Sequence, residues 1–294
     1  MPDFLLPLAP ALQMLLTPWG LAVLGLCVGS FLNVVIHRMP LMLDAQWKAD
    51  AHAMLHPDGP ELPAEGERVS LSKPASRCPK CGHQIRWFEN IPLVSWLVLR
   101  GKCSACSTPI SVRYPLIELA TAALFALCGS TFGDQPTTLL WCGFVAVLVA
   151  AAGIDWDTTL LPDDLTLPLL WAGLVAAALG WLPIPLKDSL WGAVAGYLSL
   201  WSVYWLFKLT TGKEGMGYGD FKLLAALGAW LGWSMILPVV LASSLIGAIV
   251  GIGLKVSGQL REGVYVPFGP FLAGAGLVVA LAGQQKVLSW LGWA

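Results

Sequence analysis

The chain has 294 residues, of which 56% are apolar and 12% are charged, with a formal net charge of −1. A soluble domain carries about 25% charged residues, so the composition excludes a water-soluble globular enzyme, as does the mean hydropathy of +0.70. The near-zero net charge gives no general attraction to nucleic acid. Of the 17 basic and 18 acidic residues, 10 basic and 7 acidic ones lie between Arg38 and Arg113. This pattern indicates a polytopic membrane protein with one polar insert.

The predicted membrane-spanning helices are apolar runs of roughly 20 residues, the length that crosses a bilayer. The first run is too long for a removable signal peptide and lacks a small-residue cleavage site, so we retain it as a span. The weakest run is 221–237, which is short and contains Lys222. In chain order the eight runs are 17–37, 114–132, 137–154, 165–182, 189–209, 221–237, 238–255 and 270–290.

The orientation is predicted from the positions of Lys and Arg, which favour the cytoplasmic side of a membrane. With the insert in the cytoplasm, 15 of the 17 basic residues lie on that side, and only Lys187 and Lys286 lie outside. An even number of spans places both termini outside. Five basic residues in or beside short loops support this orientation independently of the insert: Lys208, Lys213, Lys222, Lys255 and Arg261.

The insert contains two Cys-x-x-Cys pairs, Cys78 with Cys81 and Cys103 with Cys106, separated by 21 residues. This spacing is typical of a four-cysteine zinc site, which is structural because it leaves no open position for water. Two redox disulfides or four free thiols are the alternatives, and a reducing cytoplasm disfavours the disulfides. We therefore expect an all-α polytopic membrane protein of about eight transmembrane helices, with a small cytoplasmic zinc-binding insert between the first and the second.

The candidate catalytic groups near the membrane are carboxylates, because no histidine lies in the interior of a predicted span. This excludes a membrane-embedded HExxH zinc protease, a Ser/His intramembrane protease and a bis-histidine haem site. Ionisable groups at such positions are candidates for function. The histidines are His37, His52, His56 and His83, and the carboxylates are Glu118, Asp155, Asp157, Asp163, Asp164 and Asp220.

The first carboxylate segment is Ile154–Asp164, between the third and fourth predicted spans. Asp155 ends an apolar run on the predicted cytoplasmic face. Asp163 and Asp164 are expected to cap the fourth span and complement its dipole, whereas Asp157 is expected to be solvated. For Glu118 we expect a pair with Arg113, because buried charges rarely stay single; orienting a substrate amine is the alternative.

The second segment is Gly215-Met216-Gly217-Tyr218-Gly219-Asp220, directly before the sixth predicted span. The alternating glycines interrupt a helix and allow close backbone approach, and the carboxylate stands where the next helix starts. A nucleotide-binding loop is excluded because no strand precedes it. One interpretation is a helix-capping aspartate after a flexible loop. The other is a partner for Asp155, since two facing carboxylates can share a proton and hydrolyse a peptide bond as general acid and base.

The ordered motifs together resemble those of the type IV prepilin peptidases, the bifunctional leader peptidases and N-methyltransferases of pilus and type II secretion systems. The resemblance covers nearly the whole chain. Besides the cysteine pairs and the aspartate segments, it is carried by Gly29-Ser30-Phe31-Leu32-Asn33-Val34-Val35-Ile36-His37-Arg38, Glu89-Asn90-Ile91-Pro92, Arg113-Tyr114-Pro115-Leu116-Ile117-Glu118 and Pro267-Phe268-Gly269-Pro270-Phe271.

The resemblance implies a GxGD-type aspartic endopeptidase of the bacterial inner membrane whose catalytic pair falls on Asp155 and Asp220. Asp155 is chosen over Asp157 because it stands seven residues before Pro162, as the family motif requires. Such enzymes cut prepilins and pseudopilins after a glycine at the cytoplasmic membrane face, removing a basic leader. They then methylate the new amino terminus with S-adenosylmethionine. The implied partners are these protein substrates and the lipid bilayer, with no nucleic acid.

The resemblance also implies that the insert carries the methyl-transfer activity. We place its donor site at Gly101 and Lys102, beside the second cysteine pair, where glycine allows close backbone approach and lysine can contact a carboxylate. A zinc-knuckle turn with a solvated lysine is the alternative. The predicted domains are a first transmembrane helix at 1–37, the zinc insert at 38–113 and a seven-helix peptidase core at 114–294.

Three rival functions remain at the level of the sequence. A peptidase without methyl transfer is the nearest, but single-function relatives tend to lack the cysteine-bearing insert. A proton- or cation-coupled transporter with a regulatory zinc insert would place carboxylates at mid-membrane on broken helices, whereas the prominent pair here lies at span ends. A thiol–disulfide carrier would need a second thiol pair in the membrane, and Cys27, Cys128 and Cys142 lack that spacing.

Overall fold

The computed structural model describes residues 10–57, 69–258 and 266–293, with side chains from Gln13 onward, so Arg261 lies outside the described residues. Within these ranges the secondary structure is helical except for two isolated β-bridges in the insert, which confirms the predicted all-α class. The helices are α1 (Pro10–Leu16), α2 (Pro18–Leu55), α3 (Val94–Val98), α4 (Arg113–Phe132), α5 (Thr138–Thr158), α6 (Asp163–Ala178), α7 (Leu186–Thr211), α8 (Tyr218–Leu231), α9 (Ile236–Val256), α10 (Gly269–Ala282) and α11 (Gln284–Trp290), with short 3₁₀ helices at Trp87–Asn90 and Trp233–Met235.

Five helices are long and apolar enough to cross a membrane, and a sixth span results if the bent pair of α10 and α11 counts as one. The five correspond to α2, α4, α5, α7 and α9, the last with the preceding 3₁₀ turn. The remaining two of the eight predicted runs form α6 and α8, of 16 and 14 residues, which are shorter than a full bilayer crossing. The apolar helices are those of a multi-pass membrane protein.

Helix α2 is longer than the predicted first span, because it continues to Leu55 with Pro40 inside it. The sequence after Arg38 mixes charged residues with apolar ones. It contains good helix formers and an Asp44–Lys48 ion pair one turn apart, with 2.7 Å between Oδ2 and Nζ. Loss of hydrophobicity therefore marks where the apolar run ends and not where the helix ends.

The described residues divide into two compact units, Pro10–Thr138 and the chain from Leu139 onward. In the first unit α2 packs closely on α4, and small residues allow this. A side-chain carbon on Gly25 would lie 2.7 Å from the Ala122 Cα atom. Asn33 is buried in this contact, where its side-chain amide donates to the carbonyl oxygens of Gly29 and Tyr114, both at 3.2 Å.

In the second unit α8 is the central helix, since every residue from Asp220 to Leu231 except Lys222 is buried. A helix that is apolar on all sides is a core helix, and α6, α7 and α10 pack against this one. Gly192 on α7 and Gly228 on α8 bring the two backbones into direct contact. The Trp230 indole N–H donates to the Leu169 carbonyl at 2.8 Å, which fixes α8 against α6. The central position of α8 presents Asp220 at its N-terminal end.

Candidate functional site

Asp155 lies in the last turn of α5 and is buried, with 4% of its surface exposed. Its Oδ2 atom accepts a hydrogen bond from the backbone N–H of Gly269, the first residue of α10, at 2.9 Å. The N-terminus of a helix carries a partial positive charge, so this contact favours a negative charge on Asp155. A Cβ atom at position 269 would lie only 2.6 Å from the same oxygen, so the contact requires glycine.

Asp220 lies in the first turn of α8, which begins after the glycine-rich segment with Gly217 as its N-cap residue. Its residue surface is 6% exposed, and its Oδ1 atom is the one buried side-chain oxygen or nitrogen of the described residues that has no hydrogen-bond partner. An unpaired buried oxygen is costly. It is therefore the atom best placed to bind a water molecule or a substrate group.

Leu161, in the turn between α5 and α6, lies beside the glycine that precedes Asp220 and the glycine whose amide donates to Asp155. A Cβ atom on Gly219 would stand 2.6 Å from the Leu161 Cβ atom, and one on Gly269 would stand 3.0 Å from its Cδ1 atom. The Asp155 and Asp220 carboxyl groups lie close enough to interact electrostatically. The structure thus brings together the two predicted aspartates, one hydrogen-bonded to a helix N-terminus and the other with a vacant acceptor.

The neighbouring carboxylates differ from this pair in their surroundings. Asp157 is exposed near the end of α5, and Asp164 is exposed in the first turn of α6. Asp163 begins α6, where both of its carboxylate oxygens accept from the Lys222 ammonium group, at 2.6 and 2.7 Å. Asp163 and Asp164 complement the α6 dipole as expected, but neither caps the helix, because its N-cap residue is Pro162. Asp163 also joins α6 to α8 through Lys222, two residues after Asp220.

The glycine-rich segment is held by polar and aromatic contacts that the sequence analysis did not identify. Lys208 on α7 donates to the Tyr204 hydroxyl at 3.1 Å and to the Glu214 carboxylate at 2.8 Å. The hydrogen bond from Lys208 to Glu214 and the positive charge of Lys208 lower the pKa of Glu214. Gly215 packs against the Phe207 ring, where a Cβ atom would lie 2.9 Å from Cδ1. These contacts hold the glycine-rich segment that leads into α8 and Asp220.

The four cysteines of the insert form one cluster, with all their sulfur atoms within 4.8 Å of one another. The Sγ atoms of Cys78 and Cys106 are 3.8 Å apart, and those of Cys81 and Cys103 are 4.0 Å apart. Four sulfur atoms placed tetrahedrally at 2.3 Å around one zinc ion are about 3.8 Å apart. The cluster therefore fits a metal ion of that size.

The two cysteine pairs lie on equivalent turns. In each, the amide of the first cysteine donates to the carbonyl five residues later, Cys78 to His83 at 2.9 Å and Cys103 to Thr108 at 2.8 Å. The fourth residue after each first cysteine has a positive φ angle, 72° at Gly82 and 56° at Ser107. The isolated bridges occupy corresponding positions as well. This repeated geometry presents the four thiols to one point.

Glu89 and His83 connect the first turn to the segment that follows it. The Glu89 carboxylate accepts from the Arg86 amide at 2.8 Å and lies 3.2 Å from the His83 Nε2 atom. Its pKa is lowered to about 2, chiefly by hydrogen bonding to the Ser104 hydroxyl and then to the Arg86 amide. Because Ser104 lies between the two cysteines of the second pair, Glu89 connects both cysteine turns to the Arg86 backbone.

The two residues predicted to bind the methyl donor lie beside the second turn. Gly101 is buried with a φ angle of 66°, and a Cβ atom there would stand 2.9 Å from the Trp96 ring. The glycine is thus needed for packing inside the insert. Lys102 is exposed and forms one of the isolated bridges with Pro109. Their role in donor binding stays a prediction.

Glu118, on α4, is buried with 8% of its surface exposed. Its Oε2 atom accepts a hydrogen bond from the Leu93 amide of the insert at 2.8 Å. Leu93 has a positive φ angle of 56°, so the carboxylate holds a strained turn against the helix. This long-range contact was not expected from the sequence, and the pair with Arg113 stays a prediction.

Comparison with known proteins matches two families. Residues 23–132 match the bacterial peptidase A24 N-terminal domain, and residues 142–252 match the type IV leader peptidase family. A Stutzerimonas stutzeri protein named prepilin leader peptidase/N-methyltransferase is 54% identical over 92% of this chain and 93% of its own length. Proteins of the same name from Aeromonas salmonicida, strain A449, and Pseudomonas aeruginosa are 53% and 52% identical, covering 89% and 92% of both chains respectively. No solved structure matches the chain significantly.

Proposed function

The chain belongs to the type IV leader peptidase family, and from that premise we propose that Asp155 and Asp220 are the pair that cleaves its substrate. The chain is a prepilin peptidase with N-methyltransferase activity, which removes the leader of a prepilin and methylates the new amino terminus. The observation that carries the proposal is the asymmetry of two buried carboxylates, one bound by the Gly269 amide and the other with an unpaired oxygen.

The asymmetry assigns a role to each carboxylate. Asp155, at the N-terminus of α10, is the ionised partner and takes a proton from the attacking water. Asp220 is the protonated partner, which polarises the scissile carbonyl and then supplies a proton to the departing amine. A pair of like charges favours this division, because two neighbouring carboxylates resist simultaneous ionisation. No metal or covalent intermediate is needed for the cleavage step.

The four-cysteine cluster is proposed to bind one structural zinc ion. The sulfur separations and the equivalent turns of the two pairs support this proposal. A closed set of four thiolates leaves no position for water, so the ion contributes folding energy to the insert and takes no part in hydrolysis. The ion would be held by Cys78, Cys81, Cys103 and Cys106.

Methyl transfer is proposed to use S-adenosylmethionine bound at the insert, beside Gly101 and Lys102. When bound, the donor supplies an electrophilic methyl group that the new amino terminus attacks. The exposed ammonium group of Lys102 is suited to the donor's carboxylate. The absence of a side chain at Gly101 leaves room for the Trp96 ring. A methyltransferase also needs its substrate amine unprotonated, so a proton acceptor is required near the amino terminus that cleavage creates.

The substrates are proposed to be type IV prepilins and type II secretion pseudopilins, entering from the bilayer with their basic leaders on the insert's side. We propose that this side is the cytoplasm and that the protein lies in the bacterial inner membrane. The distribution of Lys and Arg supports this orientation, since the predicted topology places the insert and the short loops beside Lys208, Lys222 and Lys255 on one side.

The proposed function is tested by mass spectrometry of a prepilin incubated with the purified, metal-loaded protein, with and without S-adenosylmethionine. The expected product is the mature chain, heavier by one methyl group only when the donor is present. Cleavage without methylation would leave a peptidase alone. A folded, metal-loaded protein that cleaves none of several prepilins would overturn the proposal in favour of a transporter.

A further inference from the structure

The short helix α3 (Val94–Val98) lies outside the membrane-spanning helices and yet exposes apolar side chains. Val94 is 52% exposed, Leu97 66% and Val98 74%. Burying such apolar side chains is favourable, so a contiguous exposed set marks an interaction surface. The α3 face is defined here as these three residues together with Leu116 and Leu119 on α4.

The hydrogen bond between Glu118 and Leu93 fixes the level of α3 along α4. Glu118 is five residues after Arg113, where α4 begins, and a helix rises about 1.5 Å per residue, giving about 7 Å. The Leu93 amide, at 2.8 Å from Glu118, therefore lies beside the second turn of a span. The interfacial layer on each side of a bilayer is about 5–8 Å thick, so α3 stands within about one such thickness of the end of α4.

An apolar groove of about 320 Å³ joins α3 to α4. Its walls include Leu93, Leu97, Leu116 and Leu119. Leu116 and Leu119 are 58% and 53% exposed on the first two turns of a membrane-spanning helix, so they face lipid in a bilayer. The exposed surface of α3 is therefore continuous with the lipid-facing side of α4.

The charges around the α3 face complement an anionic membrane surface. Residues 69–113 carry seven basic side chains and one acidic side chain, Glu89. A zinc ion bound by four thiolates would add a charge of −2. The net charge would then be about +4 for residues 69–113 and about +1 for the whole insert, residues 38–113, with its ten basic and seven acidic side chains. Lys and Arg side chains near an anionic bilayer are attracted to its surface. Arg100 and Arg113, both exposed, directly flank α3 and the start of α4.

We propose that the α3 face inserts into the interfacial layer of an anionic lipid bilayer and docks the insert on the membrane surface. The bond from Leu93 to Glu118 sets its depth, the apolar side chains enter among the acyl chains, and the basic excess contacts lipid phosphates. The docking does not depend on either aspartate, so it is tested separately from the peptidase.

The test uses the full, metal-loaded chain in vesicles of phosphatidylcholine and phosphatidylglycerol, with a nitroxide label at Leu97→Cys in a Cys27→Ser background. Cys27 is replaced because it is exposed. Collision of the label with oxygen, which concentrates in lipid, is compared with collision with a water-soluble nickel chelate. Leu119→Cys provides the lipid reference, and Ala75→Cys, exposed elsewhere on the insert, provides the aqueous reference. Metal content and prepilin cleavage confirm that each labelled variant is folded.

The expected result is an oxygen-to-nickel collision ratio at Leu97 within about twofold of that at Leu119 and several-fold above that at Ala75. Val94→Cys should behave in the same way. A ratio at Leu97 equal to that at Ala75 would overturn the proposal. Protection from both reagents, or lipid-like behaviour only after a prepilin is added, would also overturn it, because the occupant would then be a second protein chain or the substrate.

Discussion

Replacing Gly269 by alanine should disable peptide cleavage, because the new methyl group competes with the Asp155 carboxylate for space. The alanine Cβ atom would lie 2.6 Å from Oδ2, about 0.8 Å closer than the 3.4 Å at which ordinary contact begins. It would also stand 3.0 Å from the Leu161 Cδ1 atom. The carboxylate therefore has to turn away and give up its hydrogen bond to the Gly269 amide.

The expected loss follows from that hydrogen bond. A hydrogen bond to a charged group contributes about 1.5–3 kcal/mol, and each 1.36 kcal/mol of barrier is a factor of ten in rate. We expect kcat for prepilin cleavage to fall by about 10- to 150-fold. The pH–rate profile should shift as well, since the amide favours the ionised form of Asp155.

The matched control is Gly274→Ala on the same helix, where a Cβ atom meets nothing within 4 Å. Cleavage is followed by mass spectrometry, and methylation of a previously cleaved prepilin reports whether the insert is intact. Gly269→Ala should lose cleavage and keep methylation, and Gly274→Ala should keep both. Cleavage by Gly269→Ala within threefold of the wild type, with an unchanged pH profile, would refute the reasoning.

Three further variants test other contacts. Asp163→Asn should destabilise the second unit by only about 0.5–1 kcal/mol, because its ion pair with Lys222 is partly exposed. The thermal unfolding midpoint in detergent checks this. The double variant Asp163→Lys, Lys222→Asp should recover part of the lost stability. Gly228→Ala should lower that midpoint much more, because the new side chain would meet the backbone of α7. Gly143→Ala should leave the midpoint unchanged, because its side chain would meet nothing. Equal midpoints for the two variants would contradict the close packing of α7 on α8. Glu89→Gln should lower the resistance of the insert to urea above pH 4.5. The difference from the wild type should fade as the pH falls towards the Glu89 pKa of about 2. A difference that does not depend on pH would exclude the Glu89 charge as its cause.

The features that sequence patterns predict well are local in the chain. The spacing of the cysteine pairs fixes two equivalent turns, and their thiols meet as expected. The glycines before Asp220 interrupt the helix, so α8 starts at Tyr218 and carries the aspartate in its first turn. Apolar runs locate the helices because burial in lipid demands continuous hydrophobicity.

The features that the sequence does not predict depend on contacts between distant residues. Gly269 and Asp155 are 114 positions apart, and nothing near either residue indicates that one donates to the other. The motif around Gly269 can be identified in the sequence, but the role of the Gly269 amide is evident only from the structure. The same holds for the bond from Leu93 to Glu118, 25 residues apart, which ties the insert to α4. Apolar runs also place the end of α6 too late in the chain, because a turn at Gly180, with a φ angle of 69°, ends the helix.

The central claim is that Asp155 and Asp220 together cleave the substrate, and isosteric asparagine variants test it most directly. Asp155→Asn and Asp220→Asn are compared with Asp157→Asn, two residues from Asp155 on the same helix but exposed. Cleavage of a prepilin and methylation of a previously cleaved prepilin are measured for each. The account predicts that the first two variants lose cleavage by at least about 10³-fold and keep methylation, while Asp157→Asn keeps both. Near-normal cleavage by either Asp155→Asn or Asp220→Asn would contradict it.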